Sequence, residues 1–291
     1  MALRFRHRVD TFTSNNELPR SNARRDFERV LPVIVLVVIR TIFAGTVALL
    51  ATTIGGLSAM IAGLFGVEDR EGGIFDNTPR VWSRIILSAA GVKTHVHNPE
   101  RMAGGEPRIY MSNHLSWFDI PALASVLPRY KFVAKTELFK IPIFGPAIRA
   151  IGMVPIDRQA GKAAFAAYEV AAARIRAGNS VVVFPEGSRG YDYRIRPFKK
   201  GPFVLAIAAG VPIVPVLLYG THDVFAKGTM LVRSGPLHIH LLEPVPTAGL
   251  DLSDRDELAQ TVRSRLVDAL ASQYGIQSEP SRRQPQLAES E

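Results

Sequence analysis

Residues 111–121 read Met-Ser-Asn-His-Leu-Ser-Trp-Phe-Asp-Ile-Pro, which sets His114 five residues ahead of Asp119. Imidazole changes protonation near neutral pH, so a histidine can take a proton from an alcohol, and a carboxylate beside it can hold its tautomer. Further along stands Phe184-Pro185-Glu186-Gly187-Ser188-Arg189-Gly190. Glycine there permits a sharp turn and close approach of backbone to ligand, and the planar fork of Arg189 matches a pair of phosphate oxygens. A base beside an anion site suggests transfer chemistry on a phosphorylated alcohol.

Each segment also has a plainer reading. By spacing alone His114 is better taken as a helix-capping residue with Asp119 on a solvated face, because short motifs recur by accident. Arg189 alone fits an exposed arginine in an ordinary turn. The flanking residues argue otherwise. Residues 108–111 look like the end of a strand and Pro121 opens a new apolar segment. His114 thus falls where a strand feeds a helix, a place where α/β sheets build active sites. Residues 180–184 form a β-branched run consistent with a buried strand that delivers the second segment.

With these two segments in hand, the chain resembles a known family, the glycerolipid acyltransferases typified by 1-acyl-glycerol-3-phosphate O-acyltransferase (lysophosphatidate acyltransferase). Four blocks occur in the family's order: Asn113 to Asp119, then Gly152-Met153-Val154-Pro155-Ile156-Asp157-Arg158, then Phe184 to Arg189, then Val211-Pro212-Ile213-Val214-Pro215-Val216. The stretch Phe198-Lys199-Lys200-Gly201-Pro202-Phe203 is similar too, and the resemblance runs over about residues 80–250. Pro155 departs from the pattern, standing where the family often carries an aromatic residue.

The resemblance implies direct transfer of an acyl chain from an acyl thioester, acyl-coenzyme A or acyl carrier protein, to the sn-2 hydroxyl of the lysophospholipid acceptor 1-acyl-glycerol 3-phosphate, giving phosphatidate for phospholipid synthesis. His114 would be the base and Asp119 the carboxylate that orients it, as in a serine triad. Arg158 and Arg189 would bind the acceptor phosphate, with Lys135 a third cation, while Glu186, Gly187 and Ser188 would shape the acceptor pocket. No metal and no cofactor beyond the thioester co-substrate are implied. Glycerol 3-phosphate or a lyso-ornithine lipid are alternative acceptors. Water as acceptor would make a lipid hydrolase, and a basic membrane-binding adaptor is the non-enzymatic alternative.

Composition points to a lipid partner. The 291 residues carry 35 Lys and Arg against 26 Asp and Glu, a net charge of +9 that favours anionic partners. Arginines do not alternate with aromatics as a nucleic-acid platform would require, so anionic membrane lipid is the expected partner and nucleic acid is not. Without cysteine the chain has no disulfide, thiolate metal site or cysteine nucleophile.

The elements that must position these residues follow from pattern. A basic arm over 1–29 carries Arg20, Arg24, Arg25 and Arg29. Residues 30–67 are almost wholly apolar, long enough to embed in a bilayer as a span or, bent near Gly45 or Gly55-Gly56, as a re-entrant hairpin. The arginines put the N-terminus in the cytoplasm, and a hairpin would keep the catalytic domain on the cytoplasmic face of the cell membrane. Thr78, Pro79 and Gly91 punctuate an amphipathic helix that suits the lipid interface or the domain core. Over 68–272 strands are expected at 93–96, 108–111, 131–134, 153–156, 181–184, 213–218 and 237–242, with helices at 162–177 and 202–209. Ser253 opens a capping box for a last helix to about Ser272. The alternation argues for an α/β domain with one central mixed sheet flanked by helices. The polar tail 273–291 is expected to be disordered.

Two His-x-His pairs, His95/His97 and His238/His240, each share a strand face. Neither pair has cysteine or carboxylate at a familiar ligand spacing, so no metal site is expected from sequence. Ser116 stands close enough to His114 to be weighed as a nucleophile, although no Gly-x-Ser-x-Gly elbow is present.

Overall fold

The computed structural model describes residues 20–102, 105–156 and 164–279. Helix α1, Arg20–Leu64, precedes α2, Ile74–Ala89. Then follow β1 (Val92–His97), β2 (Ile109–Ser112), α3 (Asp119–Ala124), β3 (Tyr130–Lys135), α4 (Phe144–Ala150), β4 (Val154–Ile156) and α5 (Ala164–Arg176). The chain closes with β5 (Ser180–Val183), α6 (Gly201–Ala209), β6 (Ile213–Tyr219), α7 (Thr221–Val224), β7 (Gly235–Leu241) and α8 (Arg255–Tyr274). The strands expected from pattern all form, and they join in one sheet in the order β1-β7-β6-β2-β5-β3-β4. Every pairing is parallel except β6 with β7, so the sheet is mixed, as expected.

Strand alternation divides the core into two layers. Tyr110, Val182, Val214, Val216 and Leu237 face α2, α3 and the Ala44 region of α1. Ile109, Met111, Val181, Val183 and Ile213 face α5, α6 and the first half of α8. Both faces of the central strands are therefore covered, and β2 and β5 are buried at every residue. Each fully buried Val, Leu or Ile here contributes roughly 1.5–3 kcal/mol relative to exposure.

Four expectations are corrected. First, α1 runs unbroken through Gly45, Gly55 and Gly56, so residues 30–67 are not a hairpin in themselves. The reversal falls at 65–73, and α2 is the second arm, tied back where the Trp82 indole donates to Thr52 Oγ1 at 2.9 Å. The glycines serve close packing instead: a Cβ at Gly56 would meet the side chains of Ala147 and Ile143 at 3.2 and 3.3 Å. Second, α2 starts one turn before Thr78, because Asp76 accepts the Gly72 N–H and Asn77 donates to the Gly72 carbonyl; Pro79 lies inside the helix. Third, residues 273–279 are held against the domain. Gly275 caps α8 in the left-handed region, Ile195 N–H donates to Ser278 Oγ, and Arg263 donates to the Glu279 carbonyl. The capping box at Ser253 does not form either: Asp251 takes the Ser253 N–H and hydroxyl, and Asp254 turns back to the Asp251 N–H. The basic arm before Arg20 and the tail after Glu279 lie outside the described residues.

Leu31–Leu64 is long and apolar enough to cross a membrane. One face of α1 docks on the domain through small residues such as Ala44, Ala48 and Ala59. The remaining surface exposes Ile42, Phe43, Leu49, Leu50, Ile54 and Leu57, a patch no soluble surface needs.

Candidate active site

β2 ends in the middle of the sheet, between β6 and β5, and its next residue extends the ladder with a side chain. The Asn113 amide donates to the Leu218 carbonyl at 3.0 Å and accepts the Leu218 N–H at 2.8 Å. With Asn113 pinned, His114 is delivered beyond the carboxyl end of the sheet. Its Nδ1 lies 2.7 Å from Asp119 Oδ2, and its ring stacks on Phe184 at 4.0 Å. The same carboxylate oxygen accepts the Leu115 and Ser116 N–H groups at 2.7 and 2.9 Å, an arrangement the five-residue spacing permits because Asp119 opens α3. Asp119 is fully buried, and Oδ1 has no hydrogen-bond partner among the described residues. A carboxylate so placed can hold one tautomer of the His114 ring, as the carboxylate of a serine triad does. The N–H on Nδ1 goes to Asp119, which leaves the lone pair of Nε2 for the cavity that His114 lines.

The second segment is built around the first. Gly187 takes φ +78°, a left-handed conformation natural to glycine, and its N–H closes a turn on the Phe184 carbonyl at 3.0 Å. The turn brings Gly190 N–H to the His114 carbonyl at 2.8 Å, and a Cβ there would press on Leu115 at 3.2 Å. Glu186 is buried and points away from the cavity. One of its oxygens accepts the His114 N–H at 2.9 Å, and the other takes Arg196 Nε at 2.8 Å. Burial pushes its pKa up, against the opposing pull of the His114 N–H and the Arg196 guanidinium. Arg196 also donates to the hydroxyl and carbonyl of Ser188, so the turn is clamped from beneath.

The cavity measures about 910 Å3 and runs between α1, α2 and the carboxyl ends of the strands. Arg189, Lys227, Lys135, Gly187 and Ser188 border it with His114. The Arg189 guanidinium sits 4.8 Å over the Trp117 ring, while Lys227 Nζ donates to the Arg189 carbonyl at 2.9 Å. Two cations therefore stand together on the histidine side. Apolar and small residues, among them Ala48, Gly55, Phe132 and Ile148, make up the rest of the wall. A cationic mouth leading to an apolar chamber suits an amphiphile with an anionic head.

Of the residues singled out from sequence, His114, Asp119, Gly187, Ser188 and Arg189 come together as expected. Glu186 is corrected from pocket wall to support of the His114 backbone. Lys135 borders the cavity further out, paired with Glu137 at 3.1 Å. Arg158 lies outside the described residues; β4 ends before it at Ile156, opposite Lys135. Ser116 is no nucleophile, because its hydroxyl is buried and donates to the Phe225 carbonyl at 2.7 Å. Sequence reasoning missed Arg196 and Lys227. Neither belongs to a motif, and only the folding of separate loops onto the 184–190 turn brings them in.

An acyltransferase family model matches residues 93–219, which contain His114, Asp119 and the 184–190 turn. A chloroplastic 1-acyl-sn-glycerol-3-phosphate acyltransferase of Brassica napus is 33% identical over 193 residues, 66% of this chain and 54% of the relative. The alpha form of the same enzyme from Mus musculus is 34% identical, covering 63% of this chain and 67% of the relative. This chain thus spans about half to two thirds of the length of those relatives. In fold it is similar to the crystal structure of the 1-acyl-sn-glycerophosphate (LPA) acyltransferase PlsC from Thermotoga maritima. The TM-score is 0.72 at 24% identity, covering 84% of this chain and 99% of that one. The chain belongs to the acyltransferase family in which the 1-acyl-sn-glycerol-3-phosphate acyltransferases are found.

Proposed function

We propose that this protein transfers an acyl chain from an acyl thioester to the sn-2 hydroxyl of 1-acyl-glycerol 3-phosphate, giving phosphatidate. The observation that carries this reading is the His114–Asp119 pair at 2.7 Å, set beside Arg189 and Lys227 at the mouth of an apolar cavity. The names of the relatives support the same acceptor.

In the reaction the acceptor phosphate lies against Arg189 and Lys227, with Lys135 and Arg158 as further cations for the head group. The free hydroxyl approaches His114 Nε2, which removes its proton as the oxygen attacks the thioester carbonyl. Asp119 holds the tautomer and stabilises the imidazolium. Collapse of the tetrahedral intermediate breaks the carbon–sulfur bond, and His114 returns the proton to the departing thiolate. The apolar chamber holds acyl chain, and no metal or further cofactor enters any step. Acyl-coenzyme A and acyl carrier protein are both anionic donors that suit a basic protein.

We place the protein on the cytoplasmic face of the cell membrane, against anionic lipid. The docked face of α1 and the lipophilic face opposite it favour a helix lying along the membrane surface, with arm and domain on one side.

The test offers purified protein in mixed micelles one acyl thioester and a panel of acceptors: lysophosphatidate, glycerol 3-phosphate, a lyso-ornithine lipid, or none. Phosphatidate from lysophosphatidate alone is expected. Preference for another acceptor, or release of free fatty acid without acceptor, overturns the reading. His114→Ala should lower turnover by about 10² or more while the protein stays folded, the usual weight of a general base. Asp119→Asn should also impair turnover, by releasing the tautomer.

A further inference from the structure

The two His-x-His pairs lie far apart in sequence but meet in the sheet. Strands β1 and β7 pair in parallel with His95 opposite His238 and His97 opposite His240. Because strand side chains alternate, these imidazoles share one face, opposite to Leu237, Ile239 and Leu241, which belong to the core layer under α2 and α3. His114 works on that other side. The histidine face is covered by the end of α8, where the Tyr274 hydroxyl meets His240 Nε2 at 2.7 Å.

The rings are close. His97 Nε2 lies 3.0 Å from His238 Nδ1, and one nitrogen from each of His97, His238 and His240 falls within 4.8 Å of the other two. His240 is buried, His97 and His238 are partly so, and His95 stands at the rim, stacked on His238 at 5.0 Å. Four imidazoles thus gather on neighbouring strands at one end of the sheet, and the acyl-transfer chemistry has no need of them.

We propose that His97, His238 and His240 bind a divalent transition-metal ion of the zinc type, which clamps edge strand β1 to β7. Imidazole is a preferred ligand for such ions, and three histidines with an open fourth position are a recurrent zinc arrangement. Zinc–nitrogen bonds of about 2.0–2.1 Å set tetrahedral ligand atoms about 3.3 Å apart. The separation of His97 from His238 already matches. The rings of His97 and His240 stack at 4.1 Å and nearly parallel, so one of them turns about χ2 to aim its lone pair, a broad and soft torsion in histidine. Tyr274 then stands ready as the hydrogen-bonded support that metal-bound histidines take. The clamp is structural. It pins β1, which among the described residues pairs with β7 alone and carries the chain out of α2, to the body of the sheet.

Full-length protein in detergent, stripped with chelator and desalted, is titrated with Co2+ and then Zn2+. One Co2+ per chain is expected to survive desalting, with the strong visible absorption of a low-coordinate site, to be displaced by Zn2+, and to raise the melting temperature. His97→Gln and His238→Gln should each abolish the absorption and the melting shift, while His114→Gln keeps both. Should the first two variants fail to fold, wild-type protein is treated with a histidine-modifying reagent with and without Zn2+ and mapped by mass spectrometry. Protection at His97 and His238, but not at His222, supports the site. Absence of tight uptake, uptake that survives both substitutions, or protection confined to other histidines overturns it.

Discussion

A carboxylate oxygen of Glu186 accepts the backbone N–H of His114 at 2.9 Å, across 72 residues of sequence. The bond joins the segment that carries His114 to the turn that carries Arg189, and Arg196 holds the other oxygen. Glu186→Gln keeps the volume but turns an amide toward Arg196. It should lower kcat by about tenfold, since small displacements of a catalytic group are costly, and leave the acceptor KM nearly unchanged. A rise in KM with kcat intact would return Glu186 to the acceptor pocket.

The same residue makes a pH prediction. An exposed glutamate in the unfolded chain titrates near 4.5, and burial raises the folded value above that. Folding therefore favours the protonated form. The contribution of Glu186 to stability is fully present below about 4.5 and is lost as pH rises through the raised folded value. Denaturant unfolding of wild type and Glu186→Gln should show the wild type losing ground to the variant as pH rises over this window. A difference that stays flat, or runs the other way, contradicts the assignment.

Arg189 and Lys227 line the cavity together with His114. Arg189→Ala should raise the acceptor KM about ten- to hundred-fold, the equivalent of roughly 1.5–3 kcal/mol for a charge-assisted contact. The thioester KM should move much less. Arg189→Lys should rescue only in part, because a point charge lacks the fork. Lys227→Ala should act in the same direction, with loss of the bond to the Arg189 carbonyl adding to the loss of charge.

Asp69, in the turn between α1 and α2, pairs with the buried Lys131 of β3 at 2.8 Å. Burial lowers the pKa of Lys131 and Asp69 opposes the shift. Asp69→Ala strands the ammonium and should cost roughly 2–3 kcal/mol, at the low end for a buried pair because Asp69 is partly exposed. Adding Lys131→Met should restore most of the loss in thermal or denaturant unfolding.

Topology is open to labelling, since the native chain has no cysteine. Single cysteines at Arg25 and at exposed Glu68, beside Asp69, should react with a membrane-impermeant reagent in the same vesicle orientation if α1 lies along the surface. Reaction from opposite sides would make α1 a true span. High salt alone should not release the protein, because burial of so many apolar side chains far outweighs screened charge.

By itself the sequence determined the α/β class, the run of strands and the two segments, around His114 and Arg189, that meet at the cavity. These are local properties: β-branched runs specify strands, glycines specify turns, and a histidine five residues before an aspartate at a helix start can reach it. Tertiary structure alone decided what Glu186 touches, that Arg196 and Lys227 join the site, and that His97 meets His238. Such contacts depend on which strands become neighbours, and the order β1-β7-β6-β2-β5-β3-β4 is not written in any one segment. The unbroken α1 was equally illegible, because glycine in an apolar helix marks a bend or a close contact with the same letter. Only the packing of Gly56 against Ala147 and Ile143 chose between them.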